Sequence, residues 1–149
     1  LWFIGITLVA GFLLHKTSFG FKVYATGGNE EAARLSGINT DRVRIINFVL
    51  IGISAALAGI IQMSYLRGVT PTAGQGMELT AIASTVIGGT SMFGGVGTII
   101  GSFIGALFMG VVRNGLVLMG TNAYLIDLII GIVLISAVWF STFSTRERR

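Results

Sequence analysis

A chain of 149 residues, 53% hydrophobic and only 11% charged, falls well below the roughly one-quarter charged content of a soluble domain, which excludes an ordinary aqueous fold and places it among membrane proteins. The pI near 10.1 does not imply a nucleic-acid surface, because the Lys and Arg residues collect at the ends of apolar segments, as membrane orientation requires. The lack of cysteine excludes a disulfide framework, a thiolate metal site and a cysteine nucleophile.

Leu1 to Leu14 is apolar and ends in His15-Lys16. It is short for a crossing, which takes about 20 residues. With no Met and no signal-peptide n-region ahead of it, the stretch reads as the tail of a span, and the chain as part of a longer protein. His15 has no acid near it in sequence and reads as an interfacial residue beside Lys16.

A polar island follows, centred on residues 24–42. Lys16, Lys22, Arg34, Arg42 and Arg44 lie in or beside it, with Glu30 and Glu31 adjacent inside it. It carries the signals of one short helix. Asn29 is the N-cap, and Glu30 and Glu31 fall in the first turn, where the helix dipole favours negative charge. Ala32, Ala33, Arg34 and Leu35 are good helix formers, Ser36 follows, and Gly37 supplies a left-handed stop. Two turns of helix are not stable alone in water, so this element needs a surface to dock against. The competing reading is a plain solvated loop, but such a loop has no use for a capped helix with a small apolar face.

Ile45 to Leu66 then runs 22 residues without a charge, enough to span. Gly52/Ala56 and Ala55/Gly59 form small-residue pairs that let another helix approach in lipid, and Gln62 is a polar exception near the far end. Residues 67–76 read as a loop holding the one proline, Pro71. Leu79 to Val112 is 34 residues without a charge, too long for one span and broken by the glycine-rich run 88–97. The part before the break is short for a span, so either residues from about Thr72 extend it or it is a discontinuous half-helix. The part after it opens on Gly97, Gly101 and Gly105 at four-residue spacing, a close-packing face. Arg113 falls towards its end, residues 119–123 make a turn, and Leu125 to Phe143 is the last span.

Four crossings after the island return the C-terminus to the island's side, so that eight of the ten Lys and Arg residues share one face. The positive-inside rule makes that face cytoplasmic. The expected fold is therefore all-α and integral to the membrane, with about five transmembrane helices (the first one partial), a short cytoplasmic helix and a glycine-rich break.

No catalytic set emerges. The six acids and single histidine are scattered, so neither a metal cluster nor a triad is expected. Gly94 to Gly101 approaches a dinucleotide fingerprint but spaces its glycines wrongly and sits between spans. There is no phosphate-binding GxxxxGK[ST] loop, so any ATP would be bound by another chain. Glu78 and Asp127 lie near the outer ends of spans, where interfacial anchoring competes with substrate contact. Gln62, Thr72, Gln75, Glu78, Thr80, Thr85, Thr90 and Ser91 are the candidates for a polar translocation path, although Ser and Thr can equally bond to their own helix backbone.

Three runs carry a family resemblance: Tyr24 to Asn39 (YATGGNEEAARLSGIN), Pro71 to Ala83 (PTAGQGMELTAIA) and Ile87 to Thr98 (IGGTSMFGGVGT), followed by Gly101 to Gly110 and Asn114-Gly115-Leu116. Collinear over about Phe19 to Phe143, the chain resembles the ribose-type sugar permeases of the ABC importer family that also includes branched-chain amino-acid permeases. The resemblance implies that residues 1–149 are the C-terminal half of a permease subunit in the bacterial inner membrane, with no enzymatic activity and no cofactor of its own. It implies as partners an ABC ATPase that binds the ATP, a periplasmic or lipid-anchored binding protein, and a second, identical or homologous permease. The family's coupling helix, which fits a groove in the ATPase, corresponds to Gly28 to Gly37, so the resemblance assigns ATPase coupling to the capped helix. The glycine-rich stretch 88–95 favours a monosaccharide over a branched-chain amino acid. The alternatives are a permease for another small polar solute, such as an amino acid or nucleoside, and a self-contained channel or facilitator. Arg113 departs from the family's pattern, which more often has an uncharged residue. Facing a pathway it would favour a phosphorylated or acidic sugar, whereas near the outer interface it can snorkel.

Overall fold

The computed structural model of the chain describes residues 2–68 and 74–146, among which there are seven helices and no strand. Helix α1 (Trp2–Lys16) and helix α2 (Ser18–Gly28) meet at an angle of 74°. Thr17 makes the elbow. Its backbone is extended, and its hydroxyl donates to Leu13 O at 2.5 Å and accepts from Gly20 N at 3.4 Å, closing one helix and capping the next. Gly20 is buried there, and a Cβ on it would overlap the Leu14 carbonyl. A helix over Ser18–Gly28 corrects the sequence reading, in which the island held one helix only. Gly27 and Gly28 form the last turn of α2.

Helix α3 (Glu30–Leu35) is the short element expected between Asn29 and Gly37. The Asn29 side chain accepts from Ala32 N at 3.0 Å. At the other end Gly37 has φ +82°, Gly37 N donates to Arg34 O and Ile38 N to Ala33 O, each at 3.0 Å. That pair of bonds is the Schellman stop, and it requires a residue that tolerates positive φ. Gly28, included in the expected coupling segment, closes α2 and is not part of α3.

Helix α4 (Thr40–Leu66) begins five residues earlier than the uncharged run, because Asn39 caps it by accepting from Arg42 N at 3.0 Å. Its 27 residues reach about 40 Å, more than the hydrocarbon thickness, which leaves the polar first turn outside the apolar zone. Among the described residues α4 packs only against α2 and α3. A Cβ placed on Gly52 or Gly59 meets nothing within 4 Å, so the small-residue face touches no described helix.

Helices α5 (Met77–Ile87), α6 (Ile99–Leu118) and α7 (Ala123–Arg146) form the packed centre. Ala83, Met109, Ile126 and Ile130 are buried where the three meet, with Ile87, Leu116, Val133 and Leu134 around them. Gly101 and Gly105 face α5 as their spacing predicts. A Cβ on Gly105 would overlap Ser84 O, and one on Gly101 would overlap Gly88 O. Gly97 does not belong to this face: α6 starts at Ile99, capped by the Thr98 side chain on Gly101 N at 3.0 Å. A Cβ on Gly97 would instead lie 2.9 Å from the Thr90 side chain, inside the break. The helix approach seats Gly88, not Gly97, as its third glycine.

Among the described residues two helices, Thr40–Tyr65 and Ile99–Leu118, are long and apolar enough to cross a membrane, and the bent α1–α2 pair makes a third if counted as one span. Met77–Ile87 and the Ala123–Trp139 part of α7 are shorter apolar stretches. The 11 residues of α5 reach about 16 Å, half a bilayer, as a discontinuous helix would. The expected five crossings are thus not reached by length and composition alone.

Candidate functional site at the basic end

The antiparallel α5–α6 pair defines two ends. At one, Gly88 meets Gly101; at the other, Arg113 meets Thr80, and Gly76 approaches Asp127. α2, α3 and the start of α4 lie at the first end, because Tyr24 OH donates to Gly97 O at 2.5 Å and Gly27 and Gly28 touch Gly94 and Gly95.

α3 is clamped onto α4 by a network around Glu30. The Glu30 carboxylate accepts from Arg44 Nη2, lies 3.4 Å from Arg34 Nη2, and accepts from the Thr40 hydroxyl at 3.4 Å. Arg34 in turn donates from Nε to Thr40 Oγ1 at 2.8 Å and from Nη2 to Asp41 Oδ1 at 3.1 Å. Thr40 is only 1% exposed, so its hydroxyl needs these partners, and the buried Ala33 and Val43 flank it. One residue on α3 therefore holds two groups from the start of α4, Thr40 and Arg44, together with Arg34 of its own helix. The opposite face of α3, formed by Glu31, Ala32 and Leu35, is exposed; Leu35 is 88% so. The two-turn helix is thus braced on one face and bare on the other. Thr40 and Asp41 were not singled out in the sequence, and Arg44 only as a cation beside the island, although Asn39-Thr40-Asp41 carries a helix-cap signal there.

An open cleft of about 470 Å³ lies beside the clamp, lined by Thr26, Glu30, Arg44, Asn47, Met92 and Phe93 among others. It brings the tip of the glycine-rich break next to α3. His15 sits near this end with Nδ1 3.2 Å from Gly11 O and its ring edge-on to Tyr24 at 6.5 Å.

The polar-path candidates do not converge. Gln62 is on α4, away from α5, α6 and α7. Thr72 lies outside the described residues. Thr85 donates to Ile82 O at 2.8 Å, and Thr80 donates to Gly76 O at 3.0 Å while accepting from Arg113 Nη1 at 3.3 Å. Both hydroxyls are satisfied by their own helix, as serine and threonine commonly are. Gln75 and Glu78 are exposed at the Arg113 end. Thr90 and Ser91 are at the other: Thr90 Oγ1 is 3.3 Å from Ser102 Oγ, and Ser91 Oγ accepts from Phe93 N at 3.2 Å. Arg113 reaches across to α5 and is half-buried, so its guanidinium ties two helices together. No group of three or more His, Asp or Glu able to hold a metal occurs among the described residues.

The chain is similar to curated transport proteins. It is 49% identical over 138 residues to the ribose import permease protein RbsC of Escherichia coli strain K12, covering 92% of this chain and 43% of the relative. It is 48% identical to RbsC of Bacillus subtilis strain 168, covering 89% and 43%, and 42% identical to the xylose transport system permease protein XylH of Haemophilus influenzae strain Rd, covering 95% and 38%. The chain thus spans less than half the length of these relatives. No solved structure matches it. The family profile described as "Branched-chain amino acid transport system / permease component" matches residues 1–138, and the chain belongs to that family of membrane permeases.

Proposed function

We propose that this chain is the C-terminal half of the permease subunit of an ATP-driven ABC importer for a monosaccharide of the ribose or xylose type, acting in the bacterial inner membrane. The observation that carries the proposal is α3, capped by Asn29, clamped to α4 through Glu30 and bare along Glu31, Ala32 and Leu35. In this reading α3 is the cytoplasmic coupling helix and its bare face fits a groove on a separate ATPase subunit, which binds the ATP. Closure of the ATPases pushes on α3, and the clamp passes the push to α4. Because α3 cannot hold its shape alone, the bracing is what lets it act as a rigid lever. Five crossings after counting α1, with the basic island and basic tail on the cytoplasmic side, agree with the charge asymmetry. A second permease, identical or homologous, and a substrate-binding protein on the outer face complete the assembly. The names of the relatives, ribose import and xylose transport, support a sugar over a branched-chain amino acid.

The test is reconstitution of the complete subunit with its ATPase and binding protein in liposomes, and measurement of radiolabelled ribose and xylose uptake. ATP-dependent accumulation of either sugar against a gradient is expected. Downhill flux without ATP would replace the importer by a self-contained channel.

A further inference from the structure

The glycine-rich break is fastened to the coupling segment by backbone contact. A Cβ on Gly94 would overlap Gly27 O; one on Gly95 would lie 2.8 Å from Gly28 Cα; one on Gly27 would lie 2.9 Å from Gly95 N. Two pairs of glycines therefore meet main chain to main chain, at a separation that a side chain on Gly27, Gly94 or Gly95 would enlarge. Three residues upstream on α2, Tyr24 OH donates to Gly97 O at 2.5 Å, a side chain and a carbonyl 73 positions apart. Gly28 is followed at once by Asn29, the cap of α3, and Gly97 is followed at once by Thr98, the cap of α6. The break also runs back from Gly88 to α5. The seat thus joins the N-terminus of α3 to both members of the closely packed α5–α6 pair, which α4 does not touch among the described residues.

We propose that this glycine seat, Gly27–Gly28 against Gly94–Gly95 with the Tyr24–Gly97 hydrogen bond, is a second path by which displacement of α3 reaches the membrane, driving α5 and α6 while the Glu30 clamp drives α4. The inference rests on the reading of α3 as the coupling helix. Packed main chains respond to displacement as discrete bodies with little give, so a seat without intervening side chains transmits a shift that flexible side chains would absorb. Tyr24 and the glycines are positioning residues: they touch no substrate and act through α5 and α6.

The test compares Gly94→Ala, Tyr24→Phe and Gly89→Ala in the complete permease–ATPase complex, reading sugar transported per ATP hydrolysed. Gly89 is the control for backbone strain, since its φ of +85° matches the +89° of Gly94 while a Cβ on it meets nothing within 4 Å. Gly94→Ala is expected to lower the coupling ratio at least tenfold, in order of magnitude, and Tyr24→Phe about fivefold, the ratio that one hydrogen bond supports. Membrane insertion and ATPase recovery should match wild type. Where Gly94→Ala fails to insert, Tyr24→Phe alone decides. Wild-type coupling in Tyr24→Phe, or an equal loss in Gly89→Ala and Gly94→Ala, overturns the second path. If ATPase recovery is then still lost in Leu35→Glu, α3 keeps its docking role; a wild-type subunit that recovers no ATPase overturns both.

Discussion

Glu30 in the first turn of α3 accepts a hydrogen bond from Arg44 of α4, fourteen residues further along the chain. The pair converts a helix too short to persist by itself into an extension of one of the longest helices in the molecule. Between them Thr40 is buried with its hydroxyl shared by Glu30 and Arg34, so the contact is a network and not an isolated surface pair.

Charge reversal tests the clamp. Arg34 and Arg44 side chains are 54% exposed, and exposed pairs contribute only about 0.2–1 kcal/mol each. Glu30→Lys should therefore leave insertion and yield unchanged while cutting ATP-driven uptake several-fold. The double variant Glu30→Lys with Arg44→Glu should recover part of the uptake. Equal uptake in all three proteins would remove the clamp from the transmission of force.

The α5–α6 crossing makes a stability prediction. Gly105 is buried against Ser84 O, whereas Gly110, on the same helix, has nothing within 4 Å of an added Cβ. Gly105→Ala should destabilise by about 1–3 kcal/mol through overpacking. Gly110→Ala should be neutral or stabilise by up to about 1 kcal/mol through helix propensity. Thermal denaturation of the detergent-solubilised protein distinguishes the two.

Arg113 and Thr80 should behave as one unit. Their hydrogen bond predicts that Arg113→Ala and Thr80→Val are non-additive, with an interaction energy of about 0.5–1.5 kcal/mol in a double-mutant cycle on thermal stability. A guanidinium engaged with α5 also predicts that a sugar phosphate does not compete with uptake of the neutral sugar. Strong competition would return Arg113 to the substrate path.

What could be read from the sequence is what neighbours encode. Asn29, Glu30 and Gly37 specify α3 from within nine residues, and the Glu30–Arg34 pair follows from i,i+4 spacing. Gly101 and Gly105 announce the face that packs on α5 because a small residue every turn has few other uses in lipid. The contacts that make the site lie beyond that range. Glu30 finds Arg44 only because the Gly37 stop turns the chain back upon α3, and Tyr24 finds Gly97 only once α2 bends at Thr17. The helix over Ser18–Gly28 was illegible for a related reason: glycine weakens a helix on its own, and the contacts that Gly27 and Gly28 make at its end are with a distant loop. The backbone bonds of Thr80 and Thr85 could not be read from composition, which shows that a threonine is present but not which carbonyl its hydroxyl reaches.

The measurement that bears most directly on the account is affinity purification of the complete subunit in mild detergent, as wild type and as Leu35→Glu, with mass spectrometry of the proteins recovered. Leu35 is 88% exposed on the bare face of α3, so the substitution leaves folding alone and places a charge where the partner would dock. An ATPase subunit is expected in stoichiometric amount with wild type, and its loss with Leu35→Glu at unchanged permease yield. Equal recovery of the ATPase with both proteins, or none with either, would contradict it.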